Sequence, residues 1–180
     1  MSWQRFVVMI GIAAVTASAA CSSSSSDAAG SSGATNDPVG RDKATVAKGE
    51  EAVVKNRACV TCHGDNMAGK TTRLVKDTAD NMVPANVDLY PPNLTPDIET
   101  GLGDPKEPDP ARRGYTDELL ARAIKEGYDK TDQQLCPQMK HYPTMTDFEV
   151  YSIVLYLRSL PAVKQKIPGS ICPPLKNKSG

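Results

Sequence analysis

Residues 59–63 constrain this chain more than any other stretch: Cys59 and Cys62 are separated by two residues, Val60 and Thr61, and followed at once by His63. Two thiols at this spacing with an imidazole next to the second form the attachment pattern of c-type haem. The basis is mechanical. Two sulfurs so placed add to the two vinyl groups on one edge of the macrocycle, and the next residue then lies under the iron. Cys59 and Cys62 are therefore read as the covalent anchors of one haem c, and His63 as the proximal ligand of its metal. A structural zinc site would need two further ligands, and a thioredoxin-like pair would need a βαβ context.

Composition fits a small domain that wraps such a group. The chain has 180 residues, of which 5% are aromatic, and its one tryptophan, Trp3, lies near the N-terminus. The protein core is thin for that length, and a covalently held haem supplies the missing apolar bulk. Formal net charge is zero, which gives no sign of a polyanion-binding surface, so no nucleic-acid partner is expected.

Arg5, an apolar run from Phe6 to Val15 and the small residues before Cys21 read as a secretory signal over 1–20, too short to span a membrane. Cleavage at the small residues would leave a soluble protein. Cleavage just before Cys21 would leave a cysteine for lipid modification, which resembles bacterial lipoproteins although Ser18 stands where leucine is more usual. The lipoprotein reading is preferred because Cys21 is otherwise an odd thiol. Either way the chain is expected outside the cytoplasm, in the periplasm or cell envelope. Residues 21–41 then form a tether of serine, alanine and glycine that cannot bury enough surface to order itself. About twenty such residues span roughly 25 Å, enough to lift a domain off a membrane.

The haem-bearing domain is read as 42–165, with a tail over 166–180. Residues 42–58 permit a helix with Asp42 as N-cap and Val46, Ala52, Val53 and Ala58 apolar, interrupted by Gly49. The stretch 64–114 is rich in Gly, Pro, Asn and Asp and lacks periodicity, a length seldom left irregular unless it wraps something. Thr116 caps a helix over 117–126, with Leu119, Leu120, Ala123 and Ile124 as its apolar face and Gly127 as its stop. Thr146 and Glu149 have capping-box spacing, and Val150, Ile153, Val154 and Leu157 follow at helical intervals up to Pro161. Strand patterns are nearly absent, so the expected class is all-α.

These features together resemble class I bacterial cytochromes c, closest to the monohaem modules found as cytochrome subunits of periplasmic dehydrogenases. The resemblance runs from about Val46 to Pro161. Its markers are the Cys59 to Gly64 run, the segment Pro92, Asn93, Leu94, Thr95, Pro96 with Thr100 to Gly103, Tyr115 and Thr116 opening a helix, and the closing Tyr156 to Pro161 run. It implies a small cytochrome c fold in which the first and last helices cross, with Gly49 and Val53 meeting Ile153 and Tyr156. Gly49 stands slightly farther from Cys59 than in simple members. The resemblance also implies that the Pro92 carbonyl accepts the other ring N–H of His63, and that Asn93 and Leu94 belong to the haem-binding loop.

Three groups compete for the distal iron position: Met139, Met145 and His141. The resemblance favours Met139, which lies on a loop shortly before the last helix, though Lys140 stands where proline is usual. Met145 directly precedes the cap, where a packing residue is expected, and His141 is otherwise an exposed loop histidine. In an exported protein Cys136 and Cys172 read as a disulfide, the other reading being two unrelated thiols. The bridge would tie the C-terminal tail to the loop bearing Met139 and stabilise by roughly 3–4 kcal/mol in the chain-entropy account.

An iron with both axial positions filled by protein leaves no vacant site for a substrate. The function expected is outer-sphere transfer of single electrons through the haem edge between redox partners such as a dehydrogenase and a terminal oxidase, with no substrate converted. A haem peroxidase or gas-binding protein would need an open distal site. A haem-bearing assembly subunit of a larger dehydrogenase is the remaining alternative.

Overall fold

Thr45, rather than Asp42, begins the first helix. The computed structural model describes residues 41–76 and 81–172; the expected signal, Cys21, the tether up to residue 40 and the chain beyond 172 lie outside the described residues. In extended conformation, Thr45 accepts a hydrogen bond at its hydroxyl from the Lys48 N–H at 3.3 Å, and its own N–H donates to Ser152 Oγ at 3.1 Å. Asp42 sits instead in a 3-10 turn, Arg41–Lys43, whose Arg41 pairs with Glu118 and lies over the Tyr151 ring. Arg41 is thus docked on the fold although the sequence reads it as the end of the tether.

Helix α1 (Val46–Glu51) does not run on to Ala58. It passes into a π turn, Ala52–Asn56, where the Arg57 N–H donates to the Ala52 carbonyl at 2.8 Å, five residues back. Such a turn takes up extra residues, which accounts for the longer spacing between Gly49 and Cys59. Gly49 stays where α1 crosses the last helix, and there a side chain is excluded: a Cβ would lie 1.9 Å from the Ser152 carbonyl oxygen. Val53 is buried in the same cluster as Ile153 and Tyr156, whereas Val46 is 42% exposed and contributes no core.

Helix α2 (Cys59–His63) follows, then α3 (Asp117–Glu126) and α4 (Asp147–Ser159). Thr116 Oγ1 caps α3 by accepting from the Leu119 N–H, and Gly127 ends it in the left-handed conformation. Ala121 joins Leu120, Ala123 and Ile124 on its buried face, and Leu119 is only half-buried. At α4 the capping box is complete, with Glu149 N–H on Thr146 Oγ1 at 3.3 Å and Thr146 N–H on the Glu149 carboxylate at 2.9 Å. Val150, Ile153, Val154 and Leu157 face the core, each contributing roughly 1.5–3 kcal/mol by burial. Arg158 locks the far end of α4 to the start of α3, reaching the Asp117 carboxylate at 3.1 Å and the Gly103 carbonyl at 3.0 Å. Among the described residues β pairing is limited to three isolated bridges. The fold is all-α.

A second apolar cluster lies away from the helices. Val83, Val87 and Leu89 pack with Leu74, Cys136 and Cys172, and Arg73 ties their loop together through the Val87 and Pro84 carbonyls and the Asp88 carboxylate. Cys136 and Cys172 are joined as a disulfide, with their Cα atoms 5.7 Å apart. After Pro161 the chain does not leave the domain: it returns across the long loop, and residue 165 marks no structural break.

Candidate functional site

A cavity of about 770 Å³ opens between the helices and the irregular segments. Its walls are mostly apolar: Leu120, Ala123 and Ile124 from α3, Ile153 and Leu157 from α4, and Leu89 and Leu94 from the long loop. Cys59, Cys62 and His63 of α2 form one side. That short helix is preceded by Ala58, which holds a left-handed conformation at φ 52°, uncommon for a residue with a side chain. One helical turn then sets the two sulfurs at i and i+3 on one face, and neither belongs to the disulfide.

His63 is 5% exposed, and its Nδ1 lies 2.9 Å from the Pro92 carbonyl oxygen. A carbonyl can only accept, so Nδ1 carries the proton and Nε2 keeps a lone pair for a metal. Burial pushes the imidazole below its usual range, despite the opposing Pro92 bond, and pushes the Cys59 thiol up. Both groups are therefore held neutral in an apolar site. The Pro92 loop is fixed from two sides. Gly69, at φ 82°, donates to the His63 carbonyl and approaches Pro91 so closely that a Cβ would lie 2.5 Å from its carbonyl oxygen. Asn93, 3% exposed, accepts at Oδ1 from the Thr95 N–H and hydroxyl, and donates through Nδ2 to Thr100 Oγ1 and the Val163 carbonyl.

The three distal candidates separate cleanly. Met139 lines the cavity. Met145 is 4% exposed within the helical core and is not on the lining. His141 is exposed, packs over Gly127 and is not on the lining either. Arg57, which the sequence reading gave no role, lines the cavity and stacks over Tyr142, three residues beyond Met139, with its guanidinium 4.8 Å from the ring centroid. A second unanticipated residue is Met67, 1% exposed and lining the cavity. Its N–H donates to the Gly64 carbonyl and its own carbonyl accepts from Leu94, which keeps it beside α2. Its position four residues after His63 was the available signal. Gln138 and the segment 166–170 also line the cavity, and Gln138 Oε1 is buried without a partner.

A cavity of this size lies in the range of cofactor sites. Two thiols and an oriented imidazole on one wall, facing apolar side chains on the others, match the demands of a flat, largely apolar macrocycle with a coordinating metal. The residues present fit haem, and the molecule is thereby defined as an all-α haem-binding protein. The family model for cytochrome c matches residues 46–161, more than half of the chain. This protein belongs to the cytochrome c family, with haem c attached covalently through Cys59 and Cys62 beside His63. Comparison with curated proteins returns no match. Family membership makes the chain a haem-binding electron-transfer protein.

Proposed function

We propose that this protein is an exported monohaem cytochrome that carries single electrons between periplasmic or membrane-bound redox proteins, with His63 and Met139 as the residues that would hold its iron. The observation that carries the reading is that Met139 lines the cavity while Met145 and His141 do not. When bound, haem supplies a ferric/ferrous couple. The Pro92 carbonyl holds the His63 ring in one orientation and raises the basicity of Nε2. A Met139 thioether on that iron would favour the ferrous state and raise the potential, which would suit an acceptor of electrons from a dehydrogenase. The apolar walls exclude water and limit the rearrangement that accompanies a change of charge.

The signal at 1–20 accounts for export, a lipid on Cys21 accounts for the one cysteine with no other role, and the tether lets the domain turn toward its partners. Membrane attachment in the cell envelope follows from that lipid. Lys140 and Lys166 are exposed on the cavity lining and are available to a docking partner.

The test is the visible spectrum of the oxidised holoprotein, wild type beside Met139→Ala. The expected result is a weak long-wavelength sulfur-to-ferric-iron band in wild type that Met139→Ala lacks. A high-spin wild-type spectrum without the band would instead point to an open distal site and to peroxidase or gas-binding chemistry.

A further inference from the structure

We propose that residues 162–172, which lie beyond the residues matched by the family, form a brace across the haem cavity whose disulfide to Cys136 keeps Met139 in place. The inference rests on the reading of Met139 as distal ligand.

The brace is anchored first on the His63 side. The Val163 carbonyl accepts from Asn93 Nδ2 at 2.7 Å, the Val163 N–H donates to Thr95 Oγ1 at 3.1 Å, and the Gln165 N–H donates to Thr100 Oγ1 at 3.0 Å. Asn93 directly follows Pro92, whose carbonyl holds the His63 ring. The middle of the brace, 166–170, lines the cavity. Beyond it, Ser170 bonds both backbone groups of Tyr90, and Ile171 and Asp88 exchange two backbone hydrogen bonds at 2.7 and 3.0 Å. The segment then ends in Cys172 and crosses covalently to Cys136.

That crossing matters because of what the Met139 segment lacks. Leu135 and Tyr142 are bonded to the Gly127 and Ile124 carbonyls at either end of the loop. Between them, the one hydrogen bond among described residues 136–141 is internal, from the Met139 N–H to the Cys136 carbonyl at 2.8 Å. The disulfide therefore ties this stretch to the rest of the fold at the residue on which the Met139 turn is built. Two electrons and two protons convert the cystine to two thiols and free the turn; a phosphine supplies the electrons and ends as its oxide, with the oxygen coming from water. Cys136 and Cys172 thus act as positioning residues for the distal ligand.

The experiment measures carbon monoxide binding to the ferrous full-length holoprotein by stopped flow. It compares protein with the bridge intact and protein reduced by a water-soluble phosphine, the two new thiols being counted by alkylation and mass. Carbon monoxide enters only when Met139 is displaced, so the rate follows the population of the displaced form and should rise about tenfold or more on reduction, with the far-UV helical signal unchanged. An unchanged rate with both thiols counted would overturn the proposal. So would loss of the helical signal in the same step, since the bridge would then hold the whole fold rather than the ligand turn. Met139→Ala separates the two levels of the argument. If it binds carbon monoxide as slowly as wild type, the ligand reading itself fails; if it binds fast while reduced wild type does not, only the brace fails. The Cys136→Ala/Cys172→Ala variant should reproduce the rate of the reduced protein without any reductant present.

Discussion

On one side of the cavity His63 is fixed by a frame of short hydrogen bonds, through the Pro92 carbonyl, the Gly69 N–H on its own carbonyl and the Asn93 side chain behind them. On the other side Met139 sits in a stretch whose long-range tie is one disulfide, helped at its edge by Arg57 over Tyr142. The two faces therefore respond to different perturbations. A frame of buried hydrogen bonds is broken by removing one polar atom, because its partners stay buried and unpaired. A covalent tie acts mainly by restricting the unfolded chain and the loop it closes. One face is held by local polar satisfaction, and the other by a link across the fold.

Removing the link should have the largest effect on stability. Urea denaturation of Cys136→Ala/Cys172→Ala holoprotein is expected to show a loss of about 3–4 kcal/mol, and a loss below about 1 kcal/mol would mean that another contact holds the distal face. Asn93→Ala comes next. It leaves the buried Thr95 N–H without its acceptor and takes the Asn93 amide away from the Val163 carbonyl, for an expected loss of about 2–3 kcal/mol by the same measurement; near-neutral behaviour would break the contrast between the faces. The smallest effect belongs to Asp97, whose carboxylate accepts from the Thr100 hydroxyl and N–H, both at 2.7 Å. The Thr100 hydroxyl bond is the main cause holding this carboxyl below the usual carboxylate range. A depressed folded value contributes stability that is present above the unfolded value of about 3.9 and is lost as pH falls through the folded one. The stability difference between wild type and Asp97→Asn should accordingly be constant at neutral pH, shrink below about pH 4 and vanish in stronger acid. A difference that persists in acid would assign the effect to geometry rather than charge.

What could be read from the chain follows the same division. The Thr116 and Thr146 caps, the Gly127 stop and the haem anchors depend on residues within a few positions of one another, so they leave a pattern in the sequence. The π turn does not, because no residue type specifies it; it arises where Gly49 must meet Ser152 and Cys59 must reach the cavity. Asp42 lost the cap to Thr45 because Ser152, far along the chain, fixes the Thr45 N–H. The contact between Asn93 and Val163 joins residues 70 positions apart, and no periodicity records it. Met67 lay close to His63 in sequence, but its burial against the cavity depends on Leu94 closing over its backbone. The disulfide pairing was legible for a different reason: with the other three cysteines assigned, Cys136 and Cys172 were the two that remained.

The most direct test of the two-faced site is the methyl spectrum of the ferrous holoprotein, carrying methionine labelled at the methyl carbon. The chain contains six methionines, and a methyl bound over the face of the macrocycle is moved far upfield of the others by the ring current. The account predicts one such signal in wild type and its disappearance in Met139→Ala. A wild-type spectrum with no shifted methyl would contradict it and point to an open or non-methionine distal site, and a shifted methyl that survives in Met139→Ala would contradict it and direct attention to Met67 or Met145.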